Sequence, residues 1–148
     1  MAAETRVAIA SDEDMVEARA EGRAVAAQLG FSRTDATLVA TAISEVARNI
    51  VVHAGRGEIV IRPVYDEDRH GIVVVARDSG PGIDDPEAAM KDGVGAPGGL
   101  GLGLPGAKRL MDEFHLDSHL GAGTTVTMKK WRIRDELERL RERRDGGA

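Results

Sequence analysis

The rhythm of apolar and polar residues changes repeatedly along this chain, and each change predicts an element. Residues 5–10 (TRVAIA) alternate and read as a short strand. Ser11 or Asp12 then offers an N-cap, Glu13 and Asp14 put acid in the first turn, and Met15, Ala18, Gly22, Val25, Ala26 and Leu29 recur at helical spacing until Gly30 ends the helix. A second helix begins near Ser32, where Ser32 and Asp35 form an S-x-x-D cap. Its apolar stripe is Val39, Ile43, Val46 and Ile50. Residues 57–65 and 71–76 are β-rich and read as a hairpin closed by the acidic 66–69 turn. A turn-rich DSGPG loop occupies 78–82, and 86–91 suit one or two helical turns. Seven glycines and two prolines between 92 and 106 are too many for a stable element. A helix is expected over 107–113, then strands over 114–120 and 124–131 joined across Gly121-Ala122-Gly123. Residues 133–144 read as a charged terminal helix with Ile133, Leu137 and Leu140 on one side, either a solvated tail or a docking helix.

Helices come early and return near residue 107, while strands cluster in pairs. That order predicts an α+β fold, a two-layer sandwich with helices on one face of a mostly antiparallel sheet, and not repeating βαβ units. The 148 residues suit one domain over 1–131 followed by a 132–148 tail, and 42% apolar with 30% charged residues is ordinary globular composition. Aromatics are only 3%, so Ala, Val, Ile and Leu must make the core. No cysteine is present, which excludes disulfides and thiolate metal sites. Neither a secretory signal nor an apolar run long enough for a membrane span is seen, so a cytoplasmic protein is expected. A net charge of −5 argues against a general nucleic-acid binder, yet leaves room for a local phosphate site built from backbone amides.

Three segments carry candidate chemistry. Glu45 and Asn49 lie four apart on the second helix and share one face, away from the apolar stripe. A carboxylate and an amide can serve as base and oxygen ligand for Mg²⁺; alone, the pair is a weak signal and reads more simply as two polar residues on a solvated face. Asp78, at a strand end, can accept an amino hydrogen from a base such as adenine, and Gly80 and Gly82 would let backbone approach a flat ring; the alternative is an ordinary turn. Between Gly98 and Gly106, glycine alternates with leucine, unlike a polar linker, and leaves backbone N–H groups free to face phosphate. Gly101-Leu-Gly103-Leu-Pro-Gly106 matches G-x-G-x-x-G literally, but it follows a loop and not a strand. The G-x-x-x-x-G-K-[ST] loop also fails, because Ala107 separates Gly106 from Lys108 and Arg109 stands where a hydroxyl is required. His115 and His119 would share a strand face, with no third metal ligand evident.

Taken in order, Glu45-x-x-x-Asn49, Asp78-x-Gly80-x-Gly82, Gly99-x-Gly101-x-Gly103 and Gly121-x-Gly123-Thr124 resemble the N, G1, G2 and G3 boxes of the GHKL ATPase superfamily, with its Bergerat fold. Residues 42–49 and 98–114 further resemble the RsbT-type switch kinases, serine/threonine kinases and anti-sigma-like regulators of bacterial stress signalling. The likeness runs from about residue 6 to Trp131. It implies that Asp78 bonds the adenine amino group with Thr124 in support, that Asn49 holds Mg²⁺, and that Glu45 is the base receiving the hydroxyl proton. It implies that Gly99, Gly101 and Gly103, with Gly98, Leu100 and Leu102 in the same run, wrap the phosphates of ATP, and that Arg48 or Lys108 neutralises charge nearby. The implied partner is a STAS-domain substrate, with a sigma factor or a PP2C-type phosphatase as further partners; the alternative is a nucleotide-gated anti-sigma or phosphatase-activating module with little kinase activity. No phosphoacceptor-histidine box precedes the domain, which speaks against histidine kinase activity. The lid before the double glycine departs from the family, reading Val94-Gly95-Ala96-Pro97 where aromatic and hydroxyl residues are usual.

Overall fold

The computed structural model describes residues 4–90 and 103–133. Strand β1 (Thr5–Ile9) leads into α1 (Asp12–Gln28), and Ser11 caps that helix by accepting the Asp14 amide. Helix α2 (Arg33–His53) begins in the same way, with Ser32 accepting the Asp35 amide at 3.0 Å. The hairpin of β2 (Gly57–Asp66) and β3 (Arg69–Asp78) turns through Glu67 and Asp68 alone, tighter than expected, and an Arg69–Asp66 ion pair of 2.9 Å closes it. After the single turn α3 (Pro86–Ala89) come α4 (Gly103–Leu110), β4 (Glu113–His119) and β5 (Gly123–Ile133).

The sheet order is β1-β2-β3-β5-β4, and every neighbouring pair is antiparallel. An antiparallel sheet offers no βαβ crossover for a dinucleotide fingerprint. Alternation places Val7, Ile9, Ile59, Ile61, Ile72, Val74, Val126 and Met128 on the face that meets the helices, where all are buried. Val39, Ile43, Val46 and Ile50 meet them from α2, each no more than 1% exposed. Burying such a side chain contributes about 1.5–3 kcal/mol relative to leaving it in water, so this seam is what fixes α2 on the sheet. Among the described residues no helix is long and apolar enough to cross a membrane.

Two expectations are corrected at the C-terminal half. The helix predicted over 107–113 begins four residues earlier, at Gly103, inside the stretch judged too glycine-rich for an element, and ends at Leu110. Pro105 has its φ preset for a first turn, and Leu104 and Ala107 are buried in the core, so packing overrides poor helix propensity. Ile133, placed by periodicity in a terminal helix, continues β5 instead and pairs with Arg69. The remainder of that helix, and residues 91–102, lie outside the described residues.

Candidate nucleotide-binding site

Helix α2 carries the site. Its buried stripe faces the sheet, and the adjacent face turns Glu45, Arg48, Asn49 and His53 into a cleft of about 310 Å³. Gly82, Ile83, Asp84 and Ala89 close one side, and Gly103 and Leu104 at the start of α4 close another. The structure therefore brings Glu45, Arg48, Asn49, Gly82 and Gly103 together from three distant segments. Glu45 is only 8% exposed, so the solvated-face alternative fails for it. Burial raises its carboxyl above the ordinary range, opposed by the positive charge of Arg48 and by a hydrogen bond from the Gly103 backbone N–H.

Asp78 takes a different position. It ends β3, is 8% exposed, and accepts the Gly80 N–H on Oδ1 at 2.9 Å. Together with Gly80 it lines a neighbouring hollow of about 520 Å³, beside Ala54, Arg56, Gly57 and Ser79, and not the Glu45 cleft itself. Thr124 lies opposite Asp78 in the β3–β5 register, buried, with its hydroxyl 2.7 Å from Ser118 Oγ. Lys108 is exposed on α4 and lines neither concavity. Gly98, Gly99, Leu100, Gly101 and Leu102 fall outside the described residues.

The loop glycines prove to be required by protein packing, whatever ring they meet. A Cβ on Gly80 would stand 2.5 Å from the Ala54 Cβ at the end of α2. Gly82 has a φ of +79°, and a Cβ there would run into the His119 carbonyl. These contacts pin the 80–82 loop between α2 and the β4–β5 turn, where Gly121 also donates its amide to the Pro81 carbonyl at 2.8 Å.

Several cleft residues escaped the sequence reading: His53, Ile83, Asp84, Ala89 and Leu104. His53 continues the four-residue step from Glu45 and Asn49, a signal that was available. Ser118 was missed as well. Its buried hydroxyl accepts the Ile83 N–H at 2.8 Å and so ties the cleft wall to β4. No periodicity marks a serine in that role.

The donor set suits a nucleotide with a hard cation. Among the described residues no group of three or more His, Asp or Glu could hold a metal ion. A cation here would take one or two oxygen ligands such as Asn49 Oδ1 and complete its shell with phosphate and water, which is the habit of Mg²⁺.

The histidine kinase-like ATPase domain family matches residues 9–130. Serine/threonine-protein kinase RsbT of Bacillus subtilis is 50% identical over 125 residues, covering 84% of this chain and 94% of that relative. An anti-sigma F factor of Clostridium beijerinckii is 31% identical over 129 residues, covering 82% and 89% respectively. Among solved structures, the RsbU and RsbW domains of a Mycobacterium tuberculosis protein share the fold, with a TM-score of 0.57 and 23% identity over 89% of this chain and 33% of that one. The chain belongs to the histidine kinase-like ATPase family, in the branch of serine/threonine-protein kinases that includes RsbT.

Proposed function

We propose that this protein transfers the γ-phosphoryl group of ATP to a serine or threonine of a STAS-domain partner, as the kinase step of a partner-switching pathway in the bacterial cytoplasm. The observation that carries the reading is the shared cleft of Glu45 and Asn49, with the Glu45 carboxyl shielded from water and touched by the first amide of α4. A carboxyl whose affinity for protons is raised by burial, yet which Arg48 still draws toward ionisation, is a suitable acceptor for a hydroxyl proton. Asn49 offers the amide oxygen for Mg²⁺, which when bound screens the phosphate charge. Gly103 and the glycine run before it hold the phosphates, and Arg48 adds positive charge along the cleft. Asp78 selects adenine by accepting its amino hydrogen, with Thr124 behind it on β5. In this scheme the residues orient and neutralise, which is most of what phosphoryl transfer demands.

Transfer of label from γ-labelled ATP with Mg²⁺ to candidate STAS proteins tests the reading. Labelled serine or threonine on such a partner is expected. Label found on histidine, or on no protein while ATP is still bound, would overturn it. The second outcome would favour the other reading, a nucleotide-gated anti-sigma or phosphatase-activating module, which the similarity to anti-sigma F factors supports. Co-purification with a sigma factor would be its signature.

A further inference from the structure

Helix α4 is poorly equipped to hold its own position. Its eight residues include Gly103, Pro105 and Gly106, and so short a helix is marginal without tertiary support. Yet Gly103, at its start, lines the cleft beside Glu45. Support arrives at the opposite end, from β5. Lys130 is 9% exposed and points to the helix-covered face, where Nζ donates to the Leu110 carbonyl at 3.0 Å. No carboxylate among the described residues pairs with it. A buried ammonium needs a partner of opposite polarity, and the C-terminal end of a helix presents free carbonyls and the negative end of the dipole. Neighbouring bonds fasten the same junction: the Asp112 amide to Lys129 O at 2.9 Å, and the Trp131 amide to Asp112 Oδ2 at 2.7 Å.

We propose that Lys130 is a positioning residue for the nucleotide cleft: its hold on the Leu110 carbonyl sets how far α4 projects toward Glu45, and so where the Gly103 amide lies. The inference rests on the cleft being the ATP site. Lys130→Met keeps the apolar stem and removes the ammonium, whereas Lys130→Arg keeps a cationic donor. In the Met variant, amide hydrogen exchange at Gly103 should accelerate about tenfold while Ile61 and Val74 in the core stay protected. ATP affinity should fall about tenfold, roughly the loss of one hydrogen bond to a charged group. The Arg variant should recover most of both. Should Lys130→Met fail to fold, Lys130→Gln supplies the same comparison. Unchanged exchange at Gly103, or acceleration spread evenly over the sheet with ATP affinity intact, overturns the proposal. If the unaltered protein binds no ATP, the nucleotide reading falls, while selective exchange at Gly103 in the Met variant still supports the hold of Lys130 on α4.

Discussion

The carboxyl of Glu45 sits where burial works against its charge, and the cation of Arg48 and the amide of Gly103 only partly offset that. The folded protein therefore keeps this proton to higher pH than the unfolded chain, whose reference value is 4.5. Stability must fall as pH rises through the interval between the two values. Glu45→Gln removes the buried charge, so thermal unfolding at neutral pH should show the variant more stable than the unaltered protein. That advantage should vanish below about pH 4, where the carboxyl is protonated in both states. A difference independent of pH would mean that the charge is not the cause. With Glu45 in its proposed role as base, kinase activity should have the opposite sense, rising as pH climbs through the folded value, since a base must first lose its own proton.

At the scale of elements, the cleft is held by contacts between segments far apart in the chain. Ser118 on β4 serves Ile83, Gly123 and Thr124 through one hydroxyl. Ser118→Ala leaves the Ile83 amide without its acceptor and should cost about 1–3 kcal/mol, the usual penalty for a buried unsatisfied group. Denaturant unfolding reads the stability, and because Ile83 lines the cleft, weaker ATP binding should accompany the loss. Such junctions explain what was legible in the sequence and what was not. The α2 stripe, the caps at Ser11 and Ser32 and the strand alternation are local patterns, and they located α1, α2 and the sheet. Helix α4 was misplaced because its formation depends on burying Leu104 and Ala107, which no local propensity reports. The four-residue step put Glu45 and Asn49 on one helix face, which the structure turns into a cleft, and the same step reaches His53. Ser118 and Ile83 meet only through a hydrogen bond across thirty-five residues of sequence.

At the largest scale, the described residues form a two-layer unit in which one helix face meets the loop after β3 and the start of α4. Binding at that meeting point should stabilise the folded state by mass action. At about one hundred times Kd, ATP with Mg²⁺ should add about 2.7 kcal/mol. For a chain of this size that corresponds to a rise in Tm of about 5–11 °C, measurable by calorimetry. Chelating Mg²⁺ should remove much of the shift if Asn49 works through the cation. The most direct measurement of the central claim combines transfer and binding in one variant. Glu45→Ala should bind ATP within a few-fold of the unaltered protein while transfer of the γ-phosphoryl label to the partner hydroxyl disappears. Undiminished transfer by that variant would contradict the assignment of Glu45 as the base.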